Sequence, residues 1–229
     1  MGANSSTAFG VEAGSPDAAE AGVTDLFAVL AYGEISAFYR LAEEAKLSPT
    51  LRGKVAVAKM AANEMDHFKT LERALSDRGV DVFDGMAPYV RALDAYHAST
   101  DPSTWLESMV KFYVGDGIAA DFYTEIADAL APEVAEVVRD VLAETRHSEF
   151  VIDEVRTAVE QNRSERDRLT LWGRRLLGEA ITQAQYVMAQ RDELTDLVLS
   201  ATGDLNGIAT LFERMQDSHA ERMRVLGLG

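Results

Sequence analysis

Two segments of the chain read Glu64-Met-Asp-His67 and Glu144-Thr-Arg-His147, and each ends on one of only four histidines. Residues three apart on a helix are neighbours, so each segment offers one carboxylate oxygen and one imidazole nitrogen to a common point. The positions around Glu64 on a helical wheel are Val57, Met60, Ala61, Phe68, Leu71 and Leu75, and those around Glu144 are Val137, Val141 and Val151. Both pairs therefore face an apolar interior. A carboxylate left alone there costs several kcal/mol or takes up a proton, whereas a multivalent cation offsets its charge and fills its lone pairs. Metal binding is the chemistry this pattern points to. The chain has no cysteine, so the ligands must be carboxylates and imidazoles, a set that suits iron or manganese.

Each pair needs a further carboxylate from a facing helix. Glu34 is the only acid on the apolar face that also carries Phe27, Leu30, Ala37, Phe38 and Leu41. Asp116 shares a wheel sector with Met109, Tyr113, Ala120, Tyr123 and Ala127, while Asp121 and Glu125 fall on the side of Glu107 and Lys111. Asp116 is preferred, and Asp121 is the alternative. Asp140, one turn before Glu144, is a candidate to receive an imidazole N–H, or is an ordinary surface acid. Gln216-Asp-Ser-His219, with Glu179 on the helix before it, looks like a worn copy of the same arrangement, read as packing or dimerisation rather than a second metal site. His97 has no partner by spacing and reads as a surface histidine.

The elements that must position these residues are helices. Apolar residues recur at three and four spacing from near Thr24, Ser48 and Pro49 cap a second helix, and Gly79 ends it. After a crossing segment with Gly85, Pro88 and the turn at 99–102, a second pair is predicted over about 104–130 and 132–161. A third follows over about 166–200 and 204–228. Period-two alternation is absent. The expected fold is all-α, a four-helix bundle with an additional C-terminal helical hairpin. Residues 1–22 are expected to be a disordered tail before a single domain over 23–229, with the metal-binding bundle in 23–161 and the extra helix pair in 162–229.

Four carboxylates and two histidines on four antiparallel helices resemble the inward-facing set of the ferritin-like dinuclear iron carboxylate superfamily. That resemblance implies two iron ions, with manganese the alternative. Glu64 and Glu144 would bridge them, and His67, His147, Glu34 and Asp116 would be terminal ligands. The Asp at 116, where most relatives carry Glu, has a shorter reach. The segments 64–71, 115–123, 144–149 and 218–223 are similar to the actinobacterial branch that resembles the tRNA-isopentenyladenosine hydroxylase. The implied activity is an O2-dependent di-iron hydroxylase served by an electron-donating reductase. Its implied substrate is the prenyl group of a modified tRNA adenosine or a related small prenylated molecule. A ferritin-like iron oxidation and storage protein and a non-catalytic metal-stabilised protein are the alternatives.

Composition sets further bounds. The 229 residues carry 38 acidic and 22 basic side chains, a formal net charge of −16, which repels polyanions at long range. The arginines Arg163, Arg166, Arg168, Arg174 and Arg175 cluster; they read as a solvated helix start paired with Glu165 and Asp167, the alternative being a phosphate-contacting patch. No run approaches eighteen uninterrupted apolar residues and the N-terminus has no secretory pattern. A cytoplasmic protein with no membrane partner is therefore expected, with a homodimer as one oligomeric option.

Overall fold

The structure, a computed structural model, describes residues 16–143 and 148–229. Among these, ten helices and no strands are found: α1 (Pro16–Leu47), α2 (Leu51–Ser76), α3 (Val82–Met86), α4 (Val90–Ser99), α5 (Trp105–Ala127), α6 (Pro132–Val141), α7 (Ser148–Gln161), α8 (Arg163–Met188), α9 (Asp192–Thr202) and α10 (Leu205–Val225). The bundle consists of α1, α2, α5 and the α6 and α7 segments. The first two form a hairpin along their length, because only Ser48–Thr50 separates them. Thr50, rather than Ser48 or Pro49, caps α2, its hydroxyl accepting the Gly53 N–H at 3.0 Å.

The apolar faces read from the sequence are the ones that bury. Leu26, Phe27, Leu30 and Leu41 of α1 meet Val57, Met60, Leu71 and Leu75 of α2, all 5% exposed or less. Removing such surface from water, at roughly 25 cal/mol per Å2, is what holds the helices together. The stretch Ala19–Leu47 is long and apolar enough by composition to cross a membrane, but most of it is buried here as the core helix of the bundle.

Three expected boundaries differ. Helix α1 already runs from Pro16 instead of near Thr24, so residues 16–22 are not tail; residues 1–15 lie outside the described residues. Tertiary contacts explain the earlier start. Glu20 pairs with Arg78 at 2.9 Å, and Gly22 lies so close to α9 that a Cβ would stand 2.8 Å from the Glu193 carbonyl oxygen. The helix expected over 132–161 is described as two. Helix α6 ends at Val141, where the Leu142 N–H reaches Val138 and Asp140 and the Ala143 N–H reaches Asp140, the tightening usual at a helix C-terminus. The first arm of the C-terminal addition, expected over 166–200, is divided into α8 and α9. Arg191, at the break, reaches back to α1, where its guanidinium holds both carboxylate oxygens of buried Asp25. That contact turns the chain, and α9 packs along α1 while α8 and α10 pack on α5.

Candidate metal centre

Glu34 enters from the middle of α1, and Glu64 and His67 from one face of α2. One ligand atom of each lies within 4.8 Å of the others. The His67 Nδ1 is 3.3 Å from Glu34 Oε2 and 3.9 Å from Glu64 Oε2. The side chains are only 11%, 8% and 21% exposed, so water does little to solvate their charge. Burial, first of all, raises both carboxyls well above the ordinary value of 4.5. The two carboxyls interact closely, so that both cannot carry their charge here without cost. Two carboxyls forced to share a proton beside an imidazole are a donor set that a divalent cation fits.

Asp116 and Asp121 of α5 both line the cavity next to this centre, Asp116 as an exposed residue, and they differ in their partners. Asp116 lines the same cavity and its charge acts on Glu34, raising it. Asp121 accepts two hydrogen bonds of 3.1 and 2.5 Å from Arg222 of α10, and Glu125 accepts two of 2.8 Å from Arg214. A Cβ at Gly117 would stand 2.4 to 2.8 Å from the Arg222 Cδ, Nε and Cζ atoms, so the guanidinium lies directly over this glycine. Glu144 and His147 lie outside the described residues, as does their approach to the centre. Asp140 is an exposed residue of α6.

A cavity of about 590 Å3 opens from this centre. Leu30, Leu41, Leu93, Phe112 and Ile118 give it apolar walls, Tyr113 also lines it, and Tyr123 lies near enough to Glu34 for that charge to act on the phenol. Its other end holds Arg40, His97 and Lys111. His97 is thus no surface histidine. Helix α4 crosses over the cavity and buries it, its Nδ1 finds no hydrogen-bond partner among the described residues, and its ring meets Tyr96 edge-on at 5.2 Å. Burial, and then the charges of Lys111 and Arg40, hold it neutral with a pKa near 3. The same burial and Arg40 pull Lys111 down to about 8 against the opposing pull of Asp101 and Glu44. Sequence spacing could not show this group, because it assembles from α1, α4 and α5.

Glu179, on the helix before the worn motif, accepts a hydrogen bond from Ser99 of α4 at 3.0 Å. His219 is 5% exposed, and neither ring nitrogen has a hydrogen-bond partner among the described residues. In the arginine cluster, Arg168 pairs with Glu107 and Glu165, and Arg163 and Arg166 lie 3.9 Å from Asp167. That is the paired helix start.

Protonation of His219 is coupled to stability. Burial first, then Arg222, lowers its pKa to about 4, with Asp121 opposing. The unfolded chain binds this proton below the ordinary 6.5 while the folded chain refuses it until about 4, so stability falls across that window as pH drops. His219→Leu removes both this loss and an unpaired buried donor. It is expected to gain about 1 kcal/mol at neutral pH and more at pH 5 in urea unfolding. Equal stability at both pH values would contradict it.

The family described as the ferritin-like domain of actinomycetes, Ferritin_fold-like, matches residues 17–201. The chain belongs to that family. No curated protein matches it. Among solved structures it is similar to a Synechococcus protein with aldehyde deformylating oxidase activity. The two share 15% sequence identity, with a TM-score of 0.62, over 93% of this chain and 97% of that one. At that identity the likeness establishes the ferritin-like helical fold.

Proposed function

We propose that this ferritin-like protein is an O2-dependent di-iron hydroxylase whose substrate is a small molecule with an aliphatic group. The observation that carries this reading is the opening of the Glu34, Glu64 and His67 centre onto a largely apolar cavity. The oxidase activity of the Synechococcus protein is consistent with it. Asp116, Glu144 and His147 would complete the ligand set on the pattern of this fold. Bound there, two iron ions would supply dioxygen binding and the redox capacity for C–H oxidation.

The chain's own residues would do the rest. The Glu34 and Glu64 carboxyls, raised by burial in the metal-free protein, would give up their protons as the cations bind. Leu30, Leu93 and Phe112 exclude water and press an aliphatic group toward it. Hydroxylation consumes one O2, two electrons and two protons and releases one water, so a separate reductase must supply the electrons. A cavity of about 590 Å3 in a chain of charge −16 favours a small prenylated or acyl molecule over an intact tRNA.

Anaerobic reconstitution with ferrous iron tests the centre. The wild type is expected to hold about two irons per chain, and His67→Ala and Glu144→Ala markedly less. Iron content unchanged in either variant rejects the ligand set. On admission of oxygen, reductant-dependent O2 uptake that rises with an aliphatic substrate supports the hydroxylase. A mineralised hollow oligomer would make it an iron-storage protein, and iron without oxygen uptake a structural one.

A further inference from the structure

The tip of the α1–α2 hairpin departs from the rest of the molecule in two ways at once. From Ala45 to Asn63 the sequence contains Lys46, Arg52, Lys54 and Lys59 and not one acid, within a chain of net charge −16. All four cations are exposed, and none forms an ion pair among the described residues. Between them the surface is apolar. Leu47 is 68% exposed, Leu51 78% and Val55 48%. Leu51 and Val55 are one turn apart, and the exposed Ala58 and Ala62 continue the same stripe along α2, away from the buried Gly53, Val57 and Met60. Helix α2 thus has two apolar faces, and the outer one is flanked by lysine and arginine.

We infer that this tip docks on an anionic lipid surface. A cation-flanked apolar stripe on an exposed helix is the arrangement that lies in a membrane interface, leucines among the acyl chains and lysines at the headgroups. Charge complementarity selects the partner. A second copy of the tip would set four unpaired cations against four, and a neutral surface would leave them uncompensated. Nucleic acid would meet the cations but leave the leucine stripe without a function, since no aromatic side chain is exposed among them to stack on bases. The expectation of no membrane partner, drawn from the absence of a spanning segment, gives way here to peripheral attachment.

Glu43 and Glu44, one turn before Leu47 on α1, line the end of the cavity that holds Arg40. Docking would bring that end to the lipid surface from which an apolar substrate would enter. This last step rests on the proposed hydroxylase, whereas the docking itself does not.

Flotation of the full-length protein with vesicles tests the docking without metal or turnover. The wild type is expected to float with phosphatidylglycerol-containing vesicles at low salt, to be released by high salt, and to stay behind with pure phosphatidylcholine. Lys54→Glu is expected to weaken binding roughly fivefold or more, as the loss of one interfacial cation implies. Leu51→Gln, which leaves the charge unchanged, should weaken it as well, while Arg163→Glu on α8 should not. The inference fails if anionic vesicles are not bound, if Leu51→Gln binds like wild type, or if Arg163→Glu loses as much as Lys54→Glu. Binding of a single-stranded oligonucleotide in preference to vesicles would also overturn it. Loss of iron in His67→Ala with flotation intact would separate the two proposals.

Discussion

Glu64→Leu is expected to melt above the wild type without metal and below it with metal. In the metal-free protein Glu64 is a buried carboxyl that must keep its proton or share one with Glu34. Replacing it with an apolar side chain of similar volume removes that cost, a gain of about 1 to 2 kcal/mol. The raised carboxyls also make the balance depend on pH. Above the ordinary 4.5 the unfolded chain ionises first, so the folded, metal-free protein loses stability as pH rises, and the advantage of Glu64→Leu should widen from pH 5 to pH 8. Ferrous iron at about a hundred times its dissociation constant adds about 2.7 kcal/mol to the wild type. In a chain of this size that is about 5 to 10 °C in Tm. The variant should show little of that rise. Anaerobic thermal melts with and without iron, at both pH values, make the check. A metal-free Glu64→Leu less stable than wild type, or an undiminished rise with iron, would defeat the reading of this carboxylate as a ligand.

Arg191→Ala should be the most damaging substitution distant from the metal centre. Its guanidinium makes three hydrogen bonds of 2.7 to 3.1 Å to the Asp25 carboxylate, whose side chain is 11% exposed, and it also lies 5.8 Å from the Tyr89 ring centroid. Truncation leaves a buried charge without its partner, at a cost of about 3 kcal/mol. It also frees the junction of α8 and α9 from α1. Asp25→Asn added to Arg191→Ala should recover part of the loss, because the stranded charge is gone. A double-mutant cycle by urea denaturation measures the coupling. Strictly additive losses would mean that the pair does not act as a unit.

What the sequence discloses divides along physical lines. Glu34, Glu64 and His67 were legible because helical periodicity alone puts them on apolar faces, and their company of leucines and methionines is local. The same wheel set Asp121 and Glu125 apart from Asp116, yet Asp121 lines the cavity as Asp116 does, and the partners Arg222 and Arg214 could not be named. The features that escaped depend on distant contacts. Nothing near residue 190 announces a helix break, because its anchor, Asp25, is 166 residues away. His97 reads as a surface group until α4 is laid across the cavity. The early start of α1 is hidden in an Ala, Gly and acid-rich stretch whose helix is secured by Arg78 and α9.

The Arg222 guanidinium resting over Gly117 bears on the charge that α5 shows to the cavity. While a hydrogen atom is all residue 117 presents, Arg222 can lie over it and pair with Asp121, and the charge of Asp116 acts on Glu34. A single methyl group there would displace the arginine and leave Asp121, which already lines the cavity, without the cation that balances it. This glycine thereby governs how much uncompensated negative charge the cavity wall carries.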